Sequence, residues 1–476
     1  MIHDETIERP DACLEEAGVR VHAQEKQARE VFPLLTDRVT INAAPLFVEN
    51  LRRGAKPLSE WMCGVELELF GYDLKHDYAR INPVQVQRVL AGFAPNSNDL
   101  VYEESVLVEV DAGQMNRLTV EPGGQVEFSG APQRGLKDVE RELSRYLARL
   151  HEISEGDCLA FLAVGFDPVR KLEEQRWFPK GRYEVMRPYL AKRGVRAWDM
   201  MTRTCSTQAS LDYGSTEDLA KKFLLGNRLA PIVTAIFANS PFEDGRLSGY
   251  KSARAAAWLE TDNDRTGIST PALDDHFSPE AFVAYALEVP MIFAQREGRY
   301  LNSPTGMKFG DFLARGCDSV QPVFGDWADH LTTLFTEARL KQHIELRSAD
   351  CGTLSHTLAL QAFWKGLFYD ADTLDEALRL APKLNAEKMR ELQEQVARYA
   401  LAARVEEVDV LSLAKEMVRL SRCGLERIAP SEASYLEVLQ EQVVEDEVCP
   451  ADILLRNWEG AWHGSMERVL EYLRIA

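Results

Sequence analysis

The amino-acid sequence predicts an α+β fold, with one large mixed body and helical additions at both ends. Segments in which apolar and polar residues alternate, as in half-buried strands, are interspersed with segments whose apolar residues recur every three or four positions, as in amphipathic helices. The chain of 476 residues shows no internal repeat, low-complexity tract or linker. We expect a helical segment at 1–60, an α+β body at 61–370, and a helical region at 371–476 that packs on the same body.

The first half of the chain begins with weakly helical residues and then changes to strand patterns. Between Trp61 and Gly130 the period is two, and turn-forming pairs such as Asn-Pro and Gly-Gly interrupt it. Residues 134–154 return to helical spacing, with a stripe of leucines on one side. Residues 158–167 are predicted to form a further strand.

The second half contains two more alternating segments among helices. Strands are predicted over 203–213 and 342–350. Residues 215–239 are strongly helical and open with Ser-Thr-Glu-Asp, a typical helix start because a hydroxyl can accept a hydrogen bond from the first backbone amides. Residues 372–420 are predicted to be almost wholly helical.

Composition and charge restrict the class of protein. The formal net charge of −20 argues against a general nucleic-acid binder, because phosphate attraction needs a basic surface. The acidic amino terminus shows no targeting signal, and the longest apolar stretches are about half as long as a membrane span. Eight cysteines without a C-x-x-C pair indicate reduced thiols rather than zinc sites or disulfides. We therefore expect a cytoplasmic protein with no membrane or nucleic-acid partner.

The segment Trp61–Asp73 carries the first chemical signal. Side chains of a strand alternate between faces, so Glu66 and Glu68 share one face while Val65 and Leu67 share the other. Two carboxylates about 7 Å apart on one strand repel each other when they are partly buried. For this pair alone, the solvated outer face of a half-buried sheet is the simpler explanation.

The same pattern recurs in residues 120–130. Gln125 and Glu127 share one strand face, opposite Val126 and Phe128. Glu121 comes just before a Pro-Gly-Gly run, which breaks the strand and can bend the chain.

Two further strands add polar residues to the pattern. Gln208 alternates with apolar residues in the segment 203–213, and Glu345 and Arg347 share a face in the segment 342–350. If the four strands form one sheet, their carboxylates converge on a single surface. Ligand sets made of oxygens suit Mg²⁺, which commonly shares its shell with substrate phosphates. Arg347 could then neutralise phosphate charge as it develops.

Other familiar motifs are missing or ambiguous. The sequence contains neither a P-loop nor a G-x-G-x-x-G fingerprint, and its nine histidines are dispersed. Cys205 has no local histidine partner that would make it a nucleophile. The basic segment around Arg182 and Tyr183 could hold an anionic substrate or be a solvated loop. Arg265 lies in a turn-rich loop. It could bind a carboxylate through two hydrogen bonds, or it could have only a structural role in the loop.

At these segments the chain resembles the plant-type glutamate–cysteine ligases, also called γ-glutamylcysteine synthetases. The matching runs occur in the family's order over roughly residues 60–370. They are GVELELFGYD (64–73), VEPGGQVEFSGAP (120–132), KGRYEVMRPYL (180–190), DMMTRTCSTQASLDY (199–213), ANSPFEDG (238–245), TDNDRTG (261–267) and DWADHLTTLFTEARLKQHIELRSAD (326–350). So many ordered matches are far more specific than any single motif.

The resemblance implies both a fold and a reaction. The fold is a curved antiparallel sheet that forms an active-site funnel flanked by helices, as in glutamine synthetase-like carboxylate-amine ligases. In the reaction, ATP phosphorylates the γ-carboxylate of glutamate, and the amine of cysteine then displaces phosphate, as the first step of glutathione or related thiol synthesis. ATP is a co-substrate, and about two or three Mg²⁺ ions bridge it to the developing acyl phosphate.

The family motifs also imply roles for single residues. The metal ligands would be Glu66, Glu68, Glu121, Glu127 and Glu345. The catalytic residues would be Glu66, Glu345 and Arg347, and the contacts to ATP would be Arg347 and Gln125. The residues that bind glutamate or cysteine would be Arg265, Gln208, Arg203, Arg182 and Tyr183, with Arg265 on the glutamate carboxylate and the last two near the amine.

Three departures from the family pattern bear on the acceptor. Plant-type enzymes usually read G-T-E-H-E-K-F-G-F where this chain has GVELELFGYD, so a polar residue between the two glutamates is lost. Ser210 replaces a usual Asn, and ELRSAD replaces E-M-R-G-A-D. Because all the predicted metal carboxylates are retained, we expect γ-glutamyl ligation. We also expect the protein to be a monomer or a homodimer. A relative that uses another amine, or a catalytically silent homologue with a binding or regulatory role, remains an alternative.

Overall fold

A sheet of ten strands organises residues 43–476, which are the part of the chain that the computed structural model describes. In chain order, the strands of the protein are β1 (Cys63–Asp73), β2 (Ala79–Arg80), β3 (Leu100–Glu103), β4 (Val106–Asp111), β5 (Arg117–Val120), β6 (Val126–Ser129), β7 (Leu159–Leu162), β8 (Ser206–Leu211), β9 (Phe242–Glu243), β10 (Arg246–Leu247), β11 (Thr266–Gly267), β12 (Ala294–Arg296), β13 (Arg299–Leu301), β14 (Phe335–Thr336), β15 (Ala338–Leu340), β16 (Ile344–Asp350), β17 (Arg404–Val405) and β18 (Val408–Asp409).

The large sheet is open and antiparallel. Its order is β15-β16-β8-β1-β6-β5-β4-β3, and β2 and β7 pair with the far end of β1. Every one of these pairs is antiparallel. The remaining strands form small two-stranded pairs. The α+β class with an antiparallel sheet flanked by helices is therefore confirmed.

Helices surround this sheet and make up most of the C-terminal region. They are α1 (Ala43–Arg52), α2 (Pro83–Ala91), α3 (Leu136–Asp157), α4 (Gly181–Leu190), α5 (Ala197–Arg203), α6 (Thr216–Arg228), α7 (Ala230–Ile236), α8 (Ala253–Leu259), α9 (Pro279–Glu288), α10 (Phe309–Arg315), α11 (Gly325–Thr332), α12 (Leu354–Phe368), α13 (Ala371–Leu380), α14 (Ala386–Tyr399), α15 (Val410–Ile428), α16 (Glu437–Leu439), α17 (Pro450–Glu459) and α18 (Met466–Leu473), with a π-helix at Gln440–Glu445.

Several boundaries differ from the expected ones for local reasons. The helix expected over 215–239 begins as expected, because the Ser215 hydroxyl accepts a hydrogen bond from the backbone N–H of Asp218 at 3.1 Å. It is divided near Leu229, and Pro231 lies in the first turn of the second helix, where a missing amide proton costs nothing. The strand expected from residue 203 begins only at Ser206, because Arg203 ends α5 in an ion pair with Asp199.

The apolar face of the sheet lies against helices. Buried residues alternate with half-buried ones along the first part of β1, and its apolar face packs on α12 and α3. Most of the buried apolar residues belong to one large cluster, and two smaller clusters lie apart from it. This core covers one side of the sheet, so the polar side is left to form a site.

The proposed division at 1–60, 61–370 and 371–476 stays a prediction. Residues 1–42 of its first segment lie outside the described residues, and α1 covers much of the remainder. None of the helices between Ala43 and Ala476 combines the length and apolarity that a membrane span requires.

Candidate active site

The polar face of the sheet is centred on β1. Glu66 and Glu68 are both half-buried on this face. The strand register sets Glu68 directly opposite Glu127 of β6, and it sets Glu66 opposite Gln208 of β8. Three of the segments singled out in the sequence therefore meet side by side.

Leu67 lies between the two glutamates in sequence but not in space. Its side chain is on the opposite face of β1, is 1% exposed and belongs to the core. The loss of a polar residue at this position therefore removes no group from the polar face. Ser210 differs, because it lies on the polar face between Gly64 and Glu345 in the register.

Glu121 is fixed by the tight turn between β5 and β6. The backbone N–H of Gly124 donates to the Glu121 carbonyl at 2.8 Å, and the Glu121 N–H donates to the Gln125 carbonyl at 2.9 Å. Gly124 has a φ of 78°, which favours glycine. A Cβ on Gly123 would lie 2.4 Å from the carbonyl oxygen of Thr202, so the turn packs closely on α5.

Glu121 and Glu127 influence each other's ionisation. Two negative charges held close together on a partly buried face are unfavourable, so a neighbouring carboxylate raises a pKa. Burial, and then Glu121, raise the pKa of Glu127 to about 7, although the Ser129 hydroxyl donates to it at 2.9 Å. Burial, and then Glu68, also raise the pKa of Glu121.

Glu66 and Glu68 are perturbed in the same direction. Burial, followed by Glu345 and Glu127, raises the pKa of Glu66 to about 8. Burial and then Glu127 raise the pKa of Glu68 to about 7, even though the backbone N–H of Ser206 donates to its Oε2 at 2.6 Å. Four carboxyl groups are thus held together with too little positive charge to keep them all ionised.

Glu345 is surrounded by cations instead. Burial acts against its ionisation, but Arg339, Lys341 and Arg347 hold its pKa well below the usual range. The Lys341 ammonium lies 2.7 Å from Oε2, and Arg347 Nη1 lies 2.5 Å from Oε1. Arg339 contacts both oxygens. Glu345 is therefore a permanent anion whose charge is already balanced.

Gln208 connects these two parts of the face. Its Nε2 donates to Glu68 Oε1 at 3.1 Å, and its Oε1 accepts from Arg347 Nη1 at 2.7 Å. A β-bulge in β16 follows Leu346, at the position of Arg347. Bulges of this kind redirect a side chain and are frequent at active sites.

An open cavity lies over the polar face. Its lining includes carboxylates, cations and a wall of methionine and aromatic side chains. The lining residues are Glu68, Glu121, Pro122, Gln125, Met186, Met200, Met201, Thr204, Ser206, Arg254, Trp258, Phe335 and Arg347. Acidic side chains and two arginines therefore line the same cavity.

Arg254 and Trp258 are site residues that the sequence reasoning missed. Arg254 Nη2 donates to the Arg347 carbonyl at 2.7 Å and so supports the bulge. Asp350 lies 3.9 Å from Arg254 and is itself held by the Ser240 and Ser252 hydroxyls. A single arginine in an alanine-rich helix has no motif, and the Ser252 cap was the one local signal.

Gln125 and Tyr183 support the polar face from its edge. Gln125 Nε2 donates to the Thr204 carbonyl at 2.9 Å, and its buried Oε1 has no hydrogen-bond partner in residues 43–476. The Tyr183 hydroxyl donates to the Val120 carbonyl at 2.6 Å, next to Glu121. Arg182 is the second residue of α4, and its Nη2 lies 3.4 Å from the Thr332 hydroxyl.

Arg265 and Arg203 lie in closed ion-pair networks. Arg265 is 0% exposed and donates to Asp262, to Thr333 and to the Tyr189 hydroxyl. Arg203 pairs with Asp199 and Asp244. Within residues 43–476, neither arginine contacts the five glutamates, and their roles in substrate binding stay predictions.

The donor chemistry of the face fits a divalent cation. Within the described part of the chain, no three His, Cys, Asp or Glu side chains already form a closed metal group. The available ligands are nevertheless all oxygens, and burial together with neighbouring carboxylates raises their pKa values. Mg²⁺ suits such a set because it is bound through a few carboxylates and keeps several waters or phosphate oxygens.

Proteins of similar sequence are plant enzymes. The chain is 37% identical over 449 residues to the chloroplastic glutamate–cysteine ligase B of Oryza sativa subsp. japonica, a match that covers 92% of this chain and 89% of that protein. It is 36% identical over 449 residues to the chloroplastic glutamate–cysteine ligase of Arabidopsis thaliana, covering 92% of this chain and 85% of that protein.

The names of these relatives contradict the expected cytoplasmic location. The proteins that match most of the chain are chloroplast proteins in rice and in Arabidopsis. The prediction rested on the lack of a visible targeting signal and on the dispersed cysteines, and it was wrong.

A solved structure shares the fold at low sequence identity. The glutamate–cysteine ligase of Francisella tularensis in complex with AMP superposes with a TM-score of 0.53 and 11% identity, covering 87% of each chain. The model of glutamate-cysteine ligase family 2 (GCS2) matches residues 62–472, which contain every strand and side chain of the polar face. With this match and the relatives at 36–37% identity, the chain belongs to glutamate-cysteine ligase family 2.

Proposed function

We propose that this protein is an ATP- and Mg²⁺-dependent glutamate–cysteine ligase, which performs the first step of glutathione or related thiol synthesis. The observation that carries the proposal is the polar sheet face, which holds four carboxyl groups of raised pKa. Two of them, Glu68 and Glu121, line a cavity together with Arg347 and Arg254. Membership of the family and the names of the rice and Arabidopsis relatives support the same reaction.

The proposed substrates are glutamate, cysteine and ATP. The γ-phosphoryl group of ATP passes to the γ-carboxylate of glutamate, and ADP leaves. The amine of cysteine then attacks the acyl carbon, an amide bond forms, and phosphate departs with the carbon–oxygen bond broken. The products are γ-glutamylcysteine, ADP and phosphate.

The side chains of the polar face have different proposed roles in this reaction. Glu66, Glu68, Glu121 and Glu127 would hold Mg²⁺, which when bound supplies charge neutralisation between ATP and the glutamate carboxylate. Glu345, the fifth predicted ligand, is already paired with Arg339, Lys341 and Arg347, so its place in the metal site stays a prediction. Arg347 is oriented by Glu345 and Gln208 and can stabilise negative charge on the transferring phosphoryl group. Arg254 adds a second positive charge to the same cavity.

The position of Leu67 removes one reason to doubt cysteine as the acceptor. The change at this position is buried on the opposite face of β1, so it cannot alter the contact with the acceptor. The departure that does reach the polar face is Ser210, beside Glu345.

The test is ADP release with Mg²⁺, ATP and glutamate while the amine is varied. Cysteine should stimulate release far more than glycine, serine or no amine. Release with a different amine alone would refute cysteine as the acceptor, and no release with any amine would refute the enzymatic proposal in favour of a silent homologue.

A further inference from the structure

Two cations that flank the start of α4 lie close to the carboxylate cluster. Lys180 is the residue before the helix, and Arg182 is its second residue. Both act on Glu121, where their charge opposes the rise in pKa caused by burial and by Glu68. Burial, and then the positive charge of Arg182, lower the pKa of Lys180, while Glu121, Glu103 and Glu109 oppose this shift.

Within residues 43–476, Lys180 and Arg182 form no ion pair with a carboxylate, unlike three arginines near the cavity. Arg203, Arg254 and Arg347 each lie within 4.0 Å of a carboxylate oxygen. Among residues 43–476, no carboxylate lies within that distance of Lys180 or Arg182. The Nε of Arg182 is buried and has no hydrogen-bond partner there. The hydrogen bond from Arg182 Nη2 to the Thr332 hydroxyl is long, at 3.4 Å.

The surroundings hold the two cations in place without neutralising them. The Lys180 ammonium lies 5.7 Å from the centre of the Tyr183 ring, and the Tyr183 hydroxyl is bound to the Val120 carbonyl. The Arg182 guanidinium lies 5.5 Å from the centre of the Phe293 ring. The backbone N–H of Gly181 between them donates to Glu103 at 2.9 Å.

Two like charges kept together and partly desolvated are costly unless an anion joins them. Arginine and lysine with unfilled donors are the side chains that bind carboxylate and phosphate oxygens most strongly. We propose that Lys180 and Arg182 together bind one oxyanion of a substrate, either a phosphate of ATP or the α-carboxylate of an amino acid. This inference rests on the proposed function and adds Lys180 as a substrate-binding residue.

The experiment compares Lys180→Met and Arg182→Met with the wild type. Binding constants are measured by calorimetry for a non-hydrolysable ATP analogue with Mg²⁺, for glutamate and for cysteine, and KM is measured for each substrate. Because both cations hold the same anion, both variants should weaken the same one of the three ligands by about tenfold or more. The ligand that weakens identifies the source of the oxyanion.

Matched variants separate charge from structure. Lys192→Met removes an exposed lysine just beyond the other end of α4 and should bind all three ligands like the wild type. Lys180→Arg keeps the charge and should recover most of the lost affinity. Lys180→Gln replaces the methionine variant if the latter does not fold.

Several results would overturn the proposal. Wild-type affinity for all three ligands in both folded variants would contradict it, as would a loss that affects different ligands in the two variants. The proposed reaction is judged separately: a wild type that releases no ADP, but whose anion binding depends on Lys180 and Arg182, refutes the ligase and keeps this site.

Discussion

At the scale of single residues, the site is defined by an imbalance of charge. Glu345 has three cations within contact and remains ionised, whereas Glu66, Glu68 and Glu127 have raised pKa values because burial and their carboxylate neighbours outweigh the nearby cations. A fold that keeps such groups together without need would lose stability. The imbalance is the main support for the proposed Mg²⁺ site.

Replacing Glu66 with Gln should abolish turnover and leave the fold intact. The change keeps the size of the side chain but removes a charge that no other group on the face can replace, and we expect a loss of about 100-fold or more in kcat. Steady-state kinetics and a thermal melt measure both properties. Glu142→Gln, which removes a buried carboxylate from α3, is the control and should keep its turnover. Near-normal activity of Glu66→Gln would contradict the assignment.

Without divalent cations, the protein should become less stable as the pH rises. The folded pKa values of Glu66, at about 8, and of Glu68 and Glu127, at about 7, lie above the ordinary value of 4.5. A raised folded pKa stabilises the fold at low pH. That contribution is lost progressively as the pH rises from 4.5 to the folded values of about 7 to 8.

Melting temperatures at about pH 5.5 and about pH 8.5, with a chelator or with Mg²⁺, measure this effect. Mg²⁺ should raise the melting temperature more at the higher pH, where the ligands are ionised. The double variant Glu66→Gln/Glu68→Gln should respond less to both pH and Mg²⁺. An equal response to Mg²⁺ at the two pH values would argue against these ligands.

The sequence predicted some of these residues and not others. Alternation along a strand is visible in one dimension, so Glu66, Glu68 and Glu127 could be assigned to a common face. The cations around Glu345 come from a neighbouring strand and from residue 341, and their arrangement depends on pairing that alternation does not specify. The burial of Arg265 likewise depends on four separate segments of the chain.

At the scale of elements, β1 separates the two faces of the sheet. It contributes Glu66 and Glu68 to the polar cavity side and Val65, Leu67 and Leu69 to the core. A one-residue slip of register would exchange these sets, so the strong apolar face of β1 also fixes its glutamates in the site.

Replacing Leu67 with Ala should destabilise the protein without changing its acceptor. The side chain is 1% exposed, so its loss should leave a cavity and reduce the free energy of unfolding by about 2–5 kcal/mol. Denaturant unfolding measures the stability, and KM values for cysteine and glutamate measure the site. A changed preference among amines in this variant would show that residue 67 reaches the acceptor after all.

Replacing Gly123 with Ala should damage the turn that carries Glu121. The added Cβ would lie 2.4 Å from the Thr202 carbonyl, so the turn or α5 must move. We expect lower stability by about 1–3 kcal/mol and a higher Mg²⁺ requirement. Gly156→Ala is the control, because nothing lies within 4 Å of its Cβ in α3. A wild-type Mg²⁺ requirement in the Gly123 variant would contradict the role of the turn.

Elements were predictable where periodicity and capping agreed. The helix over 134–154 appears as Leu136–Asp157, and the strand over 342–350 appears as Ile344–Asp350. The strand assigned to 158–167 is shorter than expected, at Leu159–Leu162. The region 372–420 contains a hairpin at Arg404–Asp409, which its helical composition concealed.

At the scale of the whole molecule, the ordered motifs identified the family and alternation alone did not. The separate segments 64–73, 120–132, 199–213 and 326–350 lie far apart in sequence but form neighbouring parts of the sheet. Order and spacing of this kind reflect the whole fold, and the family match over residues 62–472 bears them out. The subcellular location has no such physical basis in the folded chain, and that prediction was wrong.

The most direct measurement of the central claim follows oxygen from glutamate to phosphate. The enzyme is supplied with glutamate whose γ-carboxylate carries ¹⁸O, together with cysteine, ATP and Mg²⁺, and the phosphate released is analysed by mass spectrometry. If the γ-carboxylate attacks ATP and cysteine then displaces the phosphate, one ¹⁸O atom appears in each phosphate formed along with γ-glutamylcysteine. Phosphate without the label, in a reaction that still yields γ-glutamylcysteine, would contradict the acyl-phosphate route.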